Sequence, residues 1–435
     1  MNNKVGIRRW LSFIVAGFVG QIAWAIENMF LNVYVYYCAD KDTRFIPVMV
    51  AASAAVATIT TLFMGALSDK LAKRKAFIAF GYILWGISIV AFAFFDPGSS
   101  VSLVANSAFM AGTMIVVMDC VMTFFGSTAN DASFNAFVTD NTEESNRGKV
   151  ESVLSILPMV AMIIIVVLQG LIVHENKGWD IFFYIFGGLV FVVGVVCIFL
   201  LPKDVAQHDE KRSYFGNIFY GFRPRVIKNN APLYIALLAF LSFSIAVQVF
   251  FPYIMVYLEN FLGLVDDDFT ITFGVILVVA CILTVVFGLF MDKIGKNRII
   301  IPSLLVTAVG ALLFFFARDM WFVILAGIIL MTGYMVTTAV MCAKIRDHTP
   351  LDNAGSFQGI RMVFAVLLPM VIGPNIGTAL FYINPEFYKN DFEQTTIQPN
   401  NFMFLGAIFF LLLAIIPTVI LIRKEKQINE RNDAE

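Results

Sequence analysis

Charge is scarce in this chain. Asp, Glu, Lys and Arg make up 14% of its 435 residues, where a soluble domain carries roughly a quarter. That shortage, with a mean hydropathy of +0.82, excludes a water-soluble globular protein of this length. A net charge of −1 supplies no basic surface, so no nucleic-acid partner is expected. Histidine is nearly missing. His174, His208 and His348 all fall in expected loops, and no HExxH, GxSxG or paired-acid protease pattern occurs. The chain is therefore not expected to be an enzyme. A phosphate-binding glycine loop is lacking too, so ATP is not its direct energy source. The five cysteines (Cys38, Cys120, Cys197, Cys281, Cys342) are scattered, with no CxxC and no metal spacing. They read as small apolar fillers, and no metal and no cofactor are expected. No cleavable signal peptide is evident either. Arg8 and Arg9 precede an apolar run, but it continues to about Tyr37, too long for a signal core.

What is abundant is apolar helix. Hydrophobic residues are 59% of the chain and Phe alone occurs 45 times. Runs of about 20 apolar residues can cross the ~30 Å hydrocarbon core of a bilayer as helices. About twelve such runs occur, near 10–37, 46–68, 76–95, 103–133, 149–173, 180–201, 232–258, 270–291, 299–317, 320–343, 358–382 and 402–422. The fourth has ill-defined ends, because Ser127 to Asn135 is polar. Basic residues cluster before the first run, after each even-numbered run and in the C-terminal tail, whereas the opposite loops carry only Lys41, Arg44, Lys177, Arg318 and Lys389. The positive-inside bias then puts both termini in the cytoplasm of a multi-pass protein of the cell membrane.

The chain also repeats itself. GALSDKLAKRK, Gly65 to Lys75, recurs half a chain later as GLFMDKIGKNR, Gly288 to Arg298. The loops after the fourth and tenth runs match as well: Asp140 and Thr142 with Asp347 and Thr349, then Gly148 with Gly359, and Leu157-Pro158-Met159 with Leu368-Pro369-Met370. A six-helix unit duplicated in parallel is expected, with residues 1–201 as one bundle, 202–230 as a cytoplasmic linker and 231–435 as the second bundle with its tail. In a membrane protein two similar halves usually mean a transporter with a site between them.

Twelve spans, a long central loop and a Gly-x-x-x-Asp-basic motif after spans two and eight resemble the major facilitator superfamily over almost the whole chain. Ala72 stands where that family usually has Gly, and Asn297 where a basic residue is common. The resemblance implies an all-α fold of two six-helix bundles. It also implies that the motif residues Gly65, Asp69, Arg74, Gly288, Asp292 and Arg298 bias conformation without touching solute. The bland alternative for them is a topological anchor held by anionic lipid. The two glycines are expected to let helices approach closely.

Ionisable groups inside a membrane are costly and so are functional candidates. Glu27 lies within span one, Asp119 and Asp131 on span four. Around Glu27, Gln21, Trp24, Asn28 and Asn32 recur at helical spacing. They either line a watery cavity, where Trp24 could stack on a sugar ring, or pack the bundle by interhelical hydrogen bonds. Span four carries Asp119, Thr123, Ser127, Asn130, Asp131 and Phe134 close to one face. The stretch from Asn130 to Arg147 resembles, more weakly, the glycoside–pentoside–hexuronide:cation symporters. By position Asp131 then corresponds to an Asp that holds sugar hydroxyls, unless it is simply solvated at the membrane edge. Sodium-coupled members of that family carry paired acids on span two, where this chain has Ala57 and Thr61. A proton, carried by Glu27, Asp119 or Asp131, is therefore expected as the coupling ion, with sodium the lesser option. In the second half the candidates are neutral: Gln248 and Tyr253 first, then Tyr257, Tyr334, Thr338, Asn375 and Thr378.

The expectation is a monomeric secondary transporter in the lipid bilayer, moving a small polar solute by alternating access. Proton-driven symport of a sugar or glycoside is the first choice. The alternatives are an exporter of amphipathic compounds, since many Phe and Met could line a greasy cavity, and a non-transporting receptor or scaffold on the same fold.

Overall fold

The computed structural model describes residues 6–71, 73–96, 103, 107–142, 150, 153–154, 156–173, 177–204, 220–264, 266–350, 354–385, 387–389 and 395–432. Among these, eleven helices are long and apolar enough to cross a membrane, and one shorter apolar helix accompanies them. In chain order they are α1 (Ile7–Cys38), α2 (Phe45–Ser68), α3 (Arg74–Phe94), α4 (Ala108–Asp140), α5 (the shorter one, Leu157–Ile172) and α6 (Trp179–Leu200). Then follow α7 (Ala231–Phe261), α8 (Asp268–Phe287), α9 (Lys296–Phe316), α10 (Met320–His348), α11 (Gly359–Phe381) and α12 (Phe402–Ile428). The only strands described form a small antiparallel hairpin, Phe387–Lys389 with Thr395–Ile397, between α11 and α12.

The expected spans and the observed helices overlap throughout; the start of the fifth, expected near 149, lies partly outside the described residues, and one shift is informative. The fourth, expected near 103–133, extends to Asp140. Its polar stretch stays helical as a widened π-helical segment, Ser127–Phe134. The hydroxyls and amide there bond back to their own helix: Thr128 to the Phe124 carbonyl, Ser133 to that of Thr128, and Asn135 to that of Asp131. Polar side chains that satisfy themselves locally do not force the helix to end.

The chain divides into two compact units, residues 1–216 with 390–394, and 217–389 with 395–435. In the first, α3 packs along α6, α2 along α4, α3 along α4 and α1 along α5 and α6. In the second, α9 packs along α12, α8 along α10, α9 along α10 and α7 along α11 and α12. Each pairing recurs six helices later, so the duplication read from short motifs is a duplication of packing. Outward faces are apolar at helical spacing. Phe409, Leu412, Ile416 and Ile420 form such a stripe on α12, and Leu305, Val309, Leu312 and Phe316 on α9. These stripes suit hydrocarbon, since lipid solvates them at no cost.

Glycine sets how close the helices come. A Cβ at Gly86 would meet the Gly187 carbonyl oxygen at 2.6 Å and the backbone of Phe191, and one at Gly194 would meet the Ile83 nitrogen at 2.6 Å. So α3 and α6 touch backbone to backbone. Gly65 departs from expectation, because its nearest neighbour would be Ala132 Cβ at an ordinary 3.8 Å. The close approach in this unit is made elsewhere. Gly288 lies outside the described side chains.

One end of the first unit is tied by charge. Arg8 donates to the carbonyls of Phe199 (2.7 Å), Leu200 (2.8 Å) and Leu201 (3.2 Å), capping the last turn of α6. Asp204 accepts from the Lys75 backbone nitrogen at 2.9 Å, an anion at the start of α3.

Candidate functional site

The first unit holds a cluster of polar side chains in the middle of its helices. α1 opens into a π-helical turn at Ile26–Phe30, which releases carbonyls from the ordinary ladder. Asparagines take them up. Asn28 donates to the Trp24 carbonyl at 2.8 Å and Asn32 to the Asn28 carbonyl at 2.9 Å. The widened turn carries Glu27, which is 7% exposed. Thr123 of α4 donates to Glu27 Oε1 at 2.8 Å. Glu27 Oε2 is buried and unpartnered. Asp119, one turn from Thr123, is 1% exposed, and its Oδ1 is unpartnered as well. Ser53 of α2 lies within hydrogen-bonding reach of the Asp119 carboxyl group.

A second layer surrounds Trp24. Its indole nitrogen donates to Asn130 Oδ1 at 3.3 Å, Asn130 Nδ2 donates to the Tyr82 hydroxyl at 2.8 Å, and Tyr82 donates to the Ala16 carbonyl at 2.7 Å. Trp24 packs on Trp85 at 5.0 Å between ring centroids, and Trp85 meets Tyr82 edge-on at 5.6 Å. A Cβ at Gly126 would come within 2.7 Å of the Trp85 ring, so glycine makes room for the indoles. Asp131 is half-buried and accepts from Ser127 at 3.2 Å. Trp24 is half-buried and Asn28 exposed. The cluster thus has a buried acidic floor, Glu27 and Asp119, and an accessible rim of Trp24, Asn28 and Asp131.

The second unit offers less. Tyr253 is fully buried; its hydroxyl bonds the Pro374 carbonyl at 2.8 Å and lies 2.8 Å from Thr378 Oγ1, tying α7 to α11. Tyr257 is buried among Phe261, Phe314 and Phe404. Tyr334 stacks on Phe243, while Asn375 and Thr338 bond their own helices. Gln248 is half-buried, with Gly373 close against its Cβ.

Of the motif residues, the side chains of Asp69 and Asp292 lie outside those described. Arg74 is buried at 8% exposure and donates to Asp140 Oδ2 (3.0 Å) and Ser68 Oγ (2.7 Å), so it joins α3 to the end of α4. The repeat supplies a counterpart, since Lys296 bonds Asp347 at 2.6 Å across α9 and α10. Arg298 is exposed. Lys344, 3% exposed, is satisfied by Glu425, both oxygens at 2.8 Å, and His348 joins the same carboxylate at 2.7 Å. Reading the sequence alone missed Ser53, Tyr82, Trp85 and Glu425. Periodicity marks polar faces, but it does not say which faces meet.

Twelve apolar helices in two repeated units, the first with ionisable groups buried in its middle, define a polytopic membrane fold. The chain belongs to the Major Facilitator Superfamily, whose family model matches residues 10–374 and 262–435. Among solved structures it is similar to the nucleoside transporter NupG in a mutant form, with a TM-score of 0.71 and 12% identity, covering 94% of this chain and 99% of that one. It is also similar to a bacterial homologue of the human lysosomal transporter Spinster, inward-facing and unoccupied, with a TM-score of 0.72 and 11% identity, covering 97% and 98%. A third is the xylose transporter XylE from E. coli, with a TM-score of 0.69 and 12% identity, covering 93% and 96%. At such identities the likeness is one of fold. In sequence, the class H tetracycline resistance protein of Pasteurella multocida is 28% identical over 187 residues. That match covers 42% of this chain and 44% of that protein, so the chain matches less than half of the relative's length.

Proposed function

We propose that this major facilitator transporter is proton-coupled and moves a small polar solute, a sugar or glycoside in the first instance, through the cluster on α1 and α4. One observation carries the reading. Glu27 and Asp119 are buried with a free oxygen each, beside an accessible rim of Trp24, Asn28 and Asp131. Buried carboxyl groups without a partner need a proton, a cation or a solute hydroxyl at those oxygens. A binding cycle that exchanges one of these for another couples solute to ion. Asp131 suits solute hydroxyls, since a carboxylate accepts several hydrogen bonds. The nucleoside and xylose transporters that share the fold favour a solute with a ring and several hydroxyls.

Export of an amphipathic compound is the second reading, and the tetracycline resistance relative favours it. The basic-residue bias favours cytoplasmic termini and the cell membrane under either reading. The deciding test is flux in proteoliposomes of known orientation, with pentoses, hexoses, nucleosides and tetracycline as solutes and an imposed proton or sodium gradient. Proton-driven accumulation of a hydroxylated solute is expected. Proton-driven movement of tetracycline alone selects the exporter. Binding of any of these solutes without flux would instead identify a receptor.

A further inference from the structure

Asn130 has no direct place in the mechanism above, yet it makes the most constrained hydrogen bonds in the cluster. Each end of its amide is dictated by its partner. An indole nitrogen can only donate, so the atom facing Trp24 must be the amide oxygen. A backbone carbonyl can only accept, so Tyr82 gives its single proton to Ala16 and must receive one from the amide nitrogen. Gly20 leaves this network its space, since a Cβ there would collide with Asn130 Nδ2 and the Tyr82 hydroxyl. The chain Ala16–Tyr82–Asn130–Trp24 therefore has one polarity and runs from the α1 backbone through α3 and α4 back to α1. It ends on an indole that packs against Trp85 and is half-buried.

We propose that Asn130 is a positioning residue that fixes the Trp24 indole as a stacking platform for a neutral, ring-shaped solute bearing several hydroxyl groups. The inference rests on the reading that solute meets the Trp24–Asp131 rim, and it adds the residue that sets the platform and a solute without charge. Beyond Arg8, Arg9, Arg74 and Lys75 at their starts, α1 to α6 carry no Lys, Arg or His. A phosphorylated or carboxylated solute would meet Glu27, Asp119 and Asp131 with no cation of this unit to balance it. A hydroxylated ring offers donors to the acids and an apolar face to the indole.

The test uses the full chain labelled with 5-fluorotryptophan, the Trp24 resonance being identified by its loss in Trp24→Phe. Asn130→Leu and Tyr82→Phe should both move the Trp24 resonance and leave those of Trp10, Trp179 and Trp321 in place, which also certifies the fold. An unmoved Trp24 resonance in Asn130→Leu overturns the positioning role. Binding of xylose and uridine is then measured on the same variants. Trp24→Leu and Asn130→Leu should each weaken binding of at least one of them by roughly tenfold, with no further loss in the double variant. If Trp24→Leu binds like the parent, the rim does not meet solute and the underlying reading falls. If Trp24→Leu weakens binding and Asn130→Leu does not, the platform stands and the positioning role fails. If the parent binds neither xylose nor uridine, the solute class is wrong.

Discussion

At the residue scale, Glu27 and Asp131 divide the labour. Glu27 is buried on α1 and reaches α4 through Thr123. Glu27→Gln keeps that contact and removes the proton site. We expect accumulation against a gradient to fail while solute exchange persists, because exchange needs no net proton movement; counterflow beside uphill uptake checks it. Asp131 sits at the rim with only Ser127 to hold it. Asp131→Asn should weaken solute binding by about 1.5–3 kcal/mol, the loss of a charged hydrogen bond. Unchanged affinity in a direct binding assay would remove Asp131 from the site. Both acids, and Trp24 with them, were legible in the sequence because an ionisable or amphipathic residue stands out on an apolar helix. Tyr82, Trp85 and Ser53 were not legible. Each is an ordinary residue on its own helix and acquires meaning only from a partner dozens of positions away.

At the element scale, helices were legible almost to their ends, because about 20 apolar residues leave little choice of conformation. Their spacing was not. The motif glycine Gly65 promised a close approach, yet the tight contacts lie at Gly86, Gly187 and Gly194, in runs with no motif at all. The contrast gives a paired prediction. Gly86→Ala pushes a methyl group into the α6 backbone and should destabilise by about 1–3 kcal/mol. Gly65→Ala has room and should be neutral or stabilising by up to about 1 kcal/mol from helix propensity. Unfolding midpoints of the purified variants measure both, and an equal loss at the two sites would refute the packing argument. The ion pairs between elements behave differently. Asp140→Asn removes the charge partner of Arg74 without touching the solute cluster. It should change transport rate while leaving solute affinity within a few fold, read from rate and binding on the same preparation.

At the scale of the whole molecule, the duplication links sequence to architecture. Four short matches were enough to predict it, and the pairing of helices repeats in both units. Charge bias predicts the orientation. Reporter fusions at Lys73, Asn217 and Lys426 should read cytoplasmic, and those at Asp42, Asp267 and Asp391 external. A cytoplasmic reading at Asp267 would contradict the parallel repeat. Solute and ion are not legible at this scale, because a fold shared by nucleoside and xylose transporters sets no chemistry of its own.

The contact between Arg8 and the end of α6 bears on how the protein is made. The first helix leaves the ribosome with its guanidinium fork unclaimed, and the three carbonyls that take it belong to residues 199–201. At 5–20 residues per second, that wait lasts roughly 10–40 s. During it the nascent helix stands at the headgroup layer, where anionic lipids are the available substitute partner. The clasp between α1 and α6 can therefore close only on the arrival of the last helix of the first bundle.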